Sequence, residues 1–339
     1  MKSAAYFFIT SIAIVVTLIY GKTLLIPFVF ALLLWFLVRK IRQSLDKIKF
    51  IKKYLPYWFK NLFTSLVLIL TLGFVSKLLL SNINQLAHSY LVYEANIELV
   101  ISKANNLFNI DLISILKGHS GDFDYGLILK KIFNSLTDLL SNTFIIIIYA
   151  LFIFLEEANF DSKLRGMFKN EYTKLSEILN KIERSITKYI GLKTLLSLIT
   201  GTLSYIVLAI IGIDAPLFWS FLIFALNFIP TIGSLIATLF PAIFCLLQFG
   251  EFNQALMVLV FVGAIQVLVG NLLEPKLMGN SLNISSLVAI FALSFWGVLW
   301  GVTGMIISVP ITVVMVIIFS NFDKTRPIAI LLSDKGNID

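Results

Sequence analysis

Six polar side chains stand in apolar surroundings in the C-terminal half of this 339-residue chain: Asn227, Thr231, Ser234, Gln266, Asn271 and Glu274. A carboxylate at membrane depth costs about 3 kcal/mol unless it meets a polar cavity or a partner. Glu274 therefore has two readings. It is a proton or cation relay, or a substrate contact; or it is an interfacial carboxylate paired with Lys276 or capping backbone groups. Pro275, which follows it, frees a backbone carbonyl and bends the helix end. Asn227, Thr231 and Ser234 flank a Pro/Gly-containing break at Ile229–Gly233, and Thr303 and Ser308 follow a second at Gly297–Gly301. Other chemistries lack their residues. Cys245 is the one cysteine and lies in an apolar run, so neither a disulfide framework nor a cysteine metal site is expected. No cofactor is expected either. His88 and His119 fall between apolar stretches, and no Ser/His pair, paired membrane aspartates or His-Glu-x-x-His helix is present, which argues against an intramembrane enzyme. No Gly-x-x-x-x-Gly-Lys-Ser/Thr loop occurs, so ATP-driven transport by this chain alone is not expected.

The elements that carry these residues follow from composition. Hydrophobic residues make up 58% of the chain and charged ones only 14%, with a mean hydropathy of +0.93. A soluble fold has about 25% charged residues, so this composition predicts a polytopic membrane protein. Strand-like alternation is absent, which selects helices over a barrel. Apolar stretches fall at Ala4–Tyr20, Leu24–Val38, Leu62–Leu80, Thr143–Leu155, Leu192–Ile213, Pro216–Phe249, Ala255–Leu273 and Leu287–Phe319. A span takes about 20 residues. The expected fold is an all-α polytopic membrane protein with about eight spans, the two longest stretches being broken or re-entrant. The apolar N-terminus lacks a small-residue cleavage site and reads as a retained first span.

Residues 39–60 carry eight lysines and arginines against Asp46 alone, nearly the whole of the chain's net +8. Such a run marks the cytoplasmic side, and it lacks the aromatic interleaving of a nucleic-acid surface. Residues 81–141 carry four lysines against six acids and face outward, which puts the N-terminus and residues 156–189 inside. Lys22, Lys77 and Lys193 read as snorkelling anchors near span ends. Two polar segments show helical stripes at spacings of four and three, from Leu86 through Tyr93 and Val100 to Leu107, and from Phe168 to Tyr189. Each stripe is a packing seam, against its own subunit or the lipid surface, or between subunits. Glycines 118, 121 and 126 mark a turn in the outer segment.

The C-terminal half repeats itself. Phe224-Ala225-Leu226-Asn227-Phe228 recurs as Phe291-Ala292-Leu293-Ser294-Phe295, each copy twelve residues after a glycine, Gly212 or Gly279, and each followed by a break and a closing proline, Pro241 or Pro310. Each unit joins a span to a broken element. As an odd number of crossings, consecutive units have opposite orientation, and broken helices at corresponding positions of inverted repeats point to a transporter site.

Three motifs in this half, Asn227–Gly233, Glu274–Gly279 and Gly297–Met305 with Val309-Pro310, resemble the autoinducer-2 exporter family of permeases in order and spacing. The N-terminal spans with Pro27 and the basic loop are similar too. The resemblance implies a bacterial inner-membrane transporter, a cyclic homo-oligomer, exporting autoinducer-2 or exchanging sodium or lithium for protons. Thr231 stands where an aromatic is usual, Ser234 where a proline is usual, and Ser285-Ser286 replaces a common His-Pro.

The expected organisation is N-terminal spans with the basic loop (1–80), an extracytoplasmic helical segment (81–141), a span plus a cytoplasmic amphipathic helix (142–190), an inverted-repeat transport core (191–320) and a cytoplasmic tail (321–339). The expected function is export of a small polar solute by alternating access, with a Na⁺(Li⁺)/H⁺ antiporter and a non-transporting scaffold as alternatives. Substrate binding or gating falls to Asn227, Pro230, Thr231, Gly233, Asn271, Glu274, Pro275, Gly301 and Gly304, and the expected partners are the bilayer and a small polar solute or monovalent cation and proton.

Overall fold

The structure is a computed structural model. It describes residues 2–45, 143–278, 283–334 and 336, together with 59, 63, 64, 66, 70, 73, 77, 78, 81, 82, 93, 96, 99–103 and 105. Among them every regular element is helical: α1 (Lys2–Tyr20), α2 (Lys22–Leu45), α3 (Thr143–Met167), α4 (Tyr172–Ile211), α5 (Pro216–Leu226), α6 (Ile232–Phe249), α7 (Phe252–Val267) continued by a π-helical turn (Leu268–Leu273) and the short α8 (Glu274–Met278), α9 (Ser286–Ser320) and α10 (Arg326–Leu332). Five helical stretches among the described residues are long and apolar enough to cross a membrane: Lys22–Arg42, Tyr172–Ile211, Ile232–Phe249, Phe252–Met278 and Ser286–Ser320. The chain is an all-α polytopic membrane protein. Most of Leu62–Leu80, His88, His119, the basic residues beyond Leu45, the 118–126 turn and Gly279 lie outside the described residues.

The chain forms two compact units, one of residues 1–70, 142–193 and 278–339, the other of residues 71–141 and 194–277. In the first, Ala292, Trp296, Trp300 and Ile307 of α9 pack with Leu18 of α1 and Leu25, Ile26, Val29, Phe30 and Leu33 of α2. The Trp296 and Trp300 rings meet at a tilt of 51° with 5.1 Å between ring centres, and the Trp300 indole donates to the Leu18 carbonyl at 2.9 Å. In the second, Phe218, Trp219 and Ile223 of α5, Ala237, Phe244 and Cys245 of α6 and Val258 and Val262 of α7 form the core together with Leu208 and Tyr93.

Three differences from the sequence expectations have physical causes. The amphipathic stripe ending at Tyr189 and the span beginning at Leu192 form one uninterrupted 40-residue helix, α4. Polarity changes there, but no proline follows, and Gly191 at the junction stays out of the left-handed conformation of a cap, so the backbone runs on. Lys193 lies inside this helix and is 4% exposed, buried against protein where a snorkelling anchor would reach outward. Arg39 and Arg42 do more than mark a side. With Trp35 they form one face of α2 at spacings of four and three and converge on Glu157 of α3. The Trp35 indole donates to Glu157 Oε2 at 2.9 Å, and Arg42 donates to Oε1 at 3.1 Å. Arg39 pairs with Glu183 of α4 at 2.8 Å, and its guanidinium lies 5.2 Å from the Trp35 ring centre.

Candidate functional site

Both broken elements are helical hairpins that return to the side they start from. In the second unit, α5 has eleven residues, about 16 Å at 1.5 Å per residue, roughly half a hydrocarbon core of about 30 Å. The chain turns at Asn227–Thr231 and α6 runs back. Near the end of α6, Gln248 accepts from the Asp214 amide at 2.7 Å and donates to the Gly212 carbonyl at 3.0 Å. The two arms therefore start and finish together, which collinear arms would prevent. In the first unit α9 breaks at Gly301, whose φ of 63° and ψ of −145° suit glycine alone. The amide of Ser285, just before α9, bonds the Leu332 carbonyl of α10 at 3.2 Å. Only twelve residues separate Ser320 from Leu332, seven of them in α10, so the arms of α9 must fold back too.

The tips share a construction. A Cβ on Gly233 would lie 1.9 Å from the Leu226 carbonyl oxygen, and one on Gly304 would lie 2.0 Å from that of Trp296. In each hairpin the second arm begins hard against the last turn of the first, at a distance that excludes any side chain. Hydroxyls then satisfy carbonyls the breaks release. Ser234 donates to the Thr231 carbonyl at 2.8 Å and Thr303 to that of Trp300 at 2.6 Å.

The first tip is strained. Thr231 has φ 56° and ψ −58°, and the Ile232 amide bonds the Pro230 carbonyl at 2.6 Å. That is a γ-turn of the rare strained form, occupied by a β-branched residue. Such outliers persist where surrounding structure over-determines them, and they cluster at functional sites. Asn227 ends α5, is 7% exposed, and donates its amide to Ser197 Oγ of α4 at 3.0 Å. Ser197 lies fourteen residues before the end of α4, about 21 Å along it. Ser197, Thr200 and Ser204, all fully buried, form a polar face on that helix at spacings of three and four. The sequence reading missed this face, although those spacings in an apolar run were its signal.

Asn271, Glu274 and Pro275 belong to the same unit. Proline lacks an amide and crowds the carbonyl four residues back, and the backbone widens into the π-helical turn immediately before it, with Asn271 inside the turn and Glu274 half-buried after it. π-turns recur at functional sites. α6 and α7 run antiparallel, and a Cβ on Gly263 would lie 3.7 Å from Thr238 Cγ2. Counting equally from their connector sets Gln266 level with Leu235, and the π-turn level with residues 228–233. Gln266 is 6% exposed, and its amide nitrogen has no partner among the described residues. The structure thus gathers Asn227, Pro230, Thr231 and Gly233 at one tip, with the Asn271–Pro275 segment level with it along α7. Gly301 and Gly304 form the other tip, in the other unit. Among the described residues no cluster of side chains fit to hold a metal ion occurs.

Broken helical hairpins in so apolar a chain are an arrangement found in transporters, since irregular backbone at membrane depth is tolerated only where protein or a polar path satisfies it. The chain belongs to the AI-2E transporter family, whose sequence profile matches residues 8–324. It is similar to the AI-2 transport protein TqsA of Escherichia coli K12, 36% identical over 207 residues, covering 61% of this chain and 60% of that one. A Borreliella burgdorferi protein with a provisional transport-protein name is 37% identical over 206 residues, covering 60% and 57%. A Haemophilus influenzae protein with the same kind of name is 27% identical over 336 residues, covering 95% of each chain. The matches to the first two relatives thus span less than two thirds of their lengths. The chain is a bacterial multi-pass membrane protein of this family.

Proposed function

We propose that the chain is a secondary transporter of the inner membrane that exports a small polar solute, autoinducer-2-like, by alternating access. The observation that carries this reading is the first hairpin tip: a strained γ-turn and a buried Asn227–Ser197 bond, level with a π-turn that holds Asn271 and leads into Glu274. Neutral amides and hydroxyls predominate there, which suits an uncharged hydrogen-bonding solute. The name of the E. coli relative supports the solute class. One helix, Phe252–Met278, crosses between the hairpins, so the first opens outward and the second inward, with the N-terminus and residues 39–60 cytoplasmic. Residues 191–320 are the transport core and residues 81–141 the extracytoplasmic segment. Asn227, Pro230, Thr231, Gly233, Asn271, Glu274 and Pro275 bind or gate, and Gly301 and Gly304 serve as the opposing hinge. A cyclic homo-oligomer is the working assembly.

Glu274 favours a second reading, Na⁺(Li⁺)/H⁺ exchange, because a half-buried carboxylate beside freed backbone carbonyls is a place for a cation and a proton to alternate. Purified protein in liposomes separates the two. Labelled autoinducer-2 efflux that survives Glu274→Gln and is lost in Asn227→Ala supports solute export. Cation-driven proton flux lost in Glu274→Gln supports exchange. Neither flux in matched, correctly inserted protein overturns both.

A further inference from the structure

The mouth of the first hairpin is tied by side chains from outside the hairpin. Gly250, with φ 64°, ends α6 and leaves the terminal carbonyls without helical donors. The outer segment supplies them. Asn96 donates one amide group to both the Leu247 and Gln248 carbonyls, at 2.9 and 2.8 Å, and the Lys103 ammonium donates to the Gly250 carbonyl at 2.8 Å. Tyr93, 2% exposed, donates its hydroxyl to Asp214 Oδ2 at 2.7 Å, and its ring meets that of Phe244 edge-on at 5.0 Å. Gln248 ties the two arms to each other. Every one of these groups belongs to the same compact unit. A positive charge and amide donors at a helix C-terminus also complement the helix dipole.

We infer that Tyr93, Asn96 and Lys103 are positioning residues, a clasp that keeps the mouth of the first hairpin shut and still while its tip moves. At least on the face bearing Tyr93, the seam of the outer segment serves its own subunit. The clasp is defined by the hairpin's anchorage and does not depend on which solute is carried.

Disulfide stapling tests this. A Cβ on Gly250 would lie 3.8 Å from Asn96 Cβ, the usual separation across a disulfide. The variant Asn96→Cys/Gly250→Cys, on a Cys245→Ala background, is studied in lipid nanodiscs by hydrogen exchange and in liposomes by flux. In the reduced form, amides of residues 212–215 and 246–250 are expected to exchange at least tenfold faster than in Gly250→Cys alone, which carries the same side chain at the same positive φ. Oxidation restores their protection and leaves residues 228–233 exchanging at the parental rate. Flux of a Na⁺-driven pH signal or of labelled autoinducer-2, whichever the parent carries, falls several-fold on reduction and recovers on oxidation. Three results overturn the clasp: a staple that slows the tip as much as the mouth, unchanged mouth exchange on reduction, or flux blocked by oxidation and released by reductant. If the parent carries neither probe, the proposed function fails while the exchange measurements still decide the clasp. Should the double variant not fold, Asn96→Ala is expected to speed exchange at the mouth alone; equal exchange at mouth and parent levels sinks the idea.

Discussion

Thr231 holds a conformation that disfavours its own branched side chain, at a cost of about 1–3 kcal/mol. Thr231→Gly is expected to stabilise the protein by about 1 kcal/mol, read as a higher thermal unfolding midpoint in detergent, after glycine's greater unfolded-state entropy offsets part of the relief. An unchanged or lower midpoint means that the Thr231 hydroxyl, bonded to the Pro230 carbonyl at 2.7 Å, outweighs the strain. Gly233 and Gly304 set the opposite constraint. Gly233→Ala and Gly304→Ala each force a methyl against a backbone carbonyl and are expected to cost about 1–3 kcal/mol or more, seen as lower midpoints and lost flux. The equivalent change at Gly270, which has open space around its Cβ position, serves as a control and is expected to shift the midpoint by less than the other two. These glycines were legible in the sequence because breaks inside apolar runs need them. The γ-turn at Thr231 was not, since threonine is a poor candidate for positive φ.

Among elements, α2, α3 and α4 are pinned by charges rather than by apolar contact alone. Arg42 and Glu157 have side chains only 5% and 10% exposed. Removing one partner of such a buried pair costs about 3–5 kcal/mol, while apolar replacement of both is often neutral. Glu157→Gln is therefore expected to lower the unfolding midpoint sharply, and Arg42→Met/Glu157→Leu to recover most of it. A double variant no better than the single one would show that Arg39 and Trp35 also depend on the carboxylate. The sequence made the broken elements visible through their glycines and prolines, but it hid this cluster. Arg39 and Arg42 were submerged in a basic run whose excess charge already had a topological explanation, and Glu157 lies more than a hundred residues away. The π-turn was likewise out of reach: Pro275 announces a distortion without saying whether the helix bends, breaks or widens.

At the scale of the whole molecule, the two compact units each carry one hairpin, and a single crossing separates them in sequence. If the hairpins open to opposite sides, single cysteines placed beyond their mouths on a Cys245→Ala background must differ in reactivity. Glu251→Cys, in the connector that follows the first hairpin, is expected to react with an impermeant maleimide added to intact cells. Asp334→Cys, beyond the second, is expected to react only after permeabilisation. Labelling of both from one side would remove the inverted arrangement and alternating access with it. Class, helical architecture and family were legible from composition, hairpin breaks and motif order, because those depend on hydropathy and backbone freedom. The pairing of Asn227 with Ser197 and of the outer segment with the mouth was not, because neither leaves a local pattern around both partners.

The indole pair at the second tip gives the molecule a built-in optical gauge. Trp296 and Trp300 are in tilted contact immediately before Gly301, and the second is tethered to α1 through the Leu18 carbonyl. The chain has three other tryptophans, Trp35, Trp58 and Trp219. With those replaced by phenylalanine, emission colour and anisotropy would report the wetting and loosening of this one hinge. Its motion could then be followed in real time, without a dye and before any cargo is known.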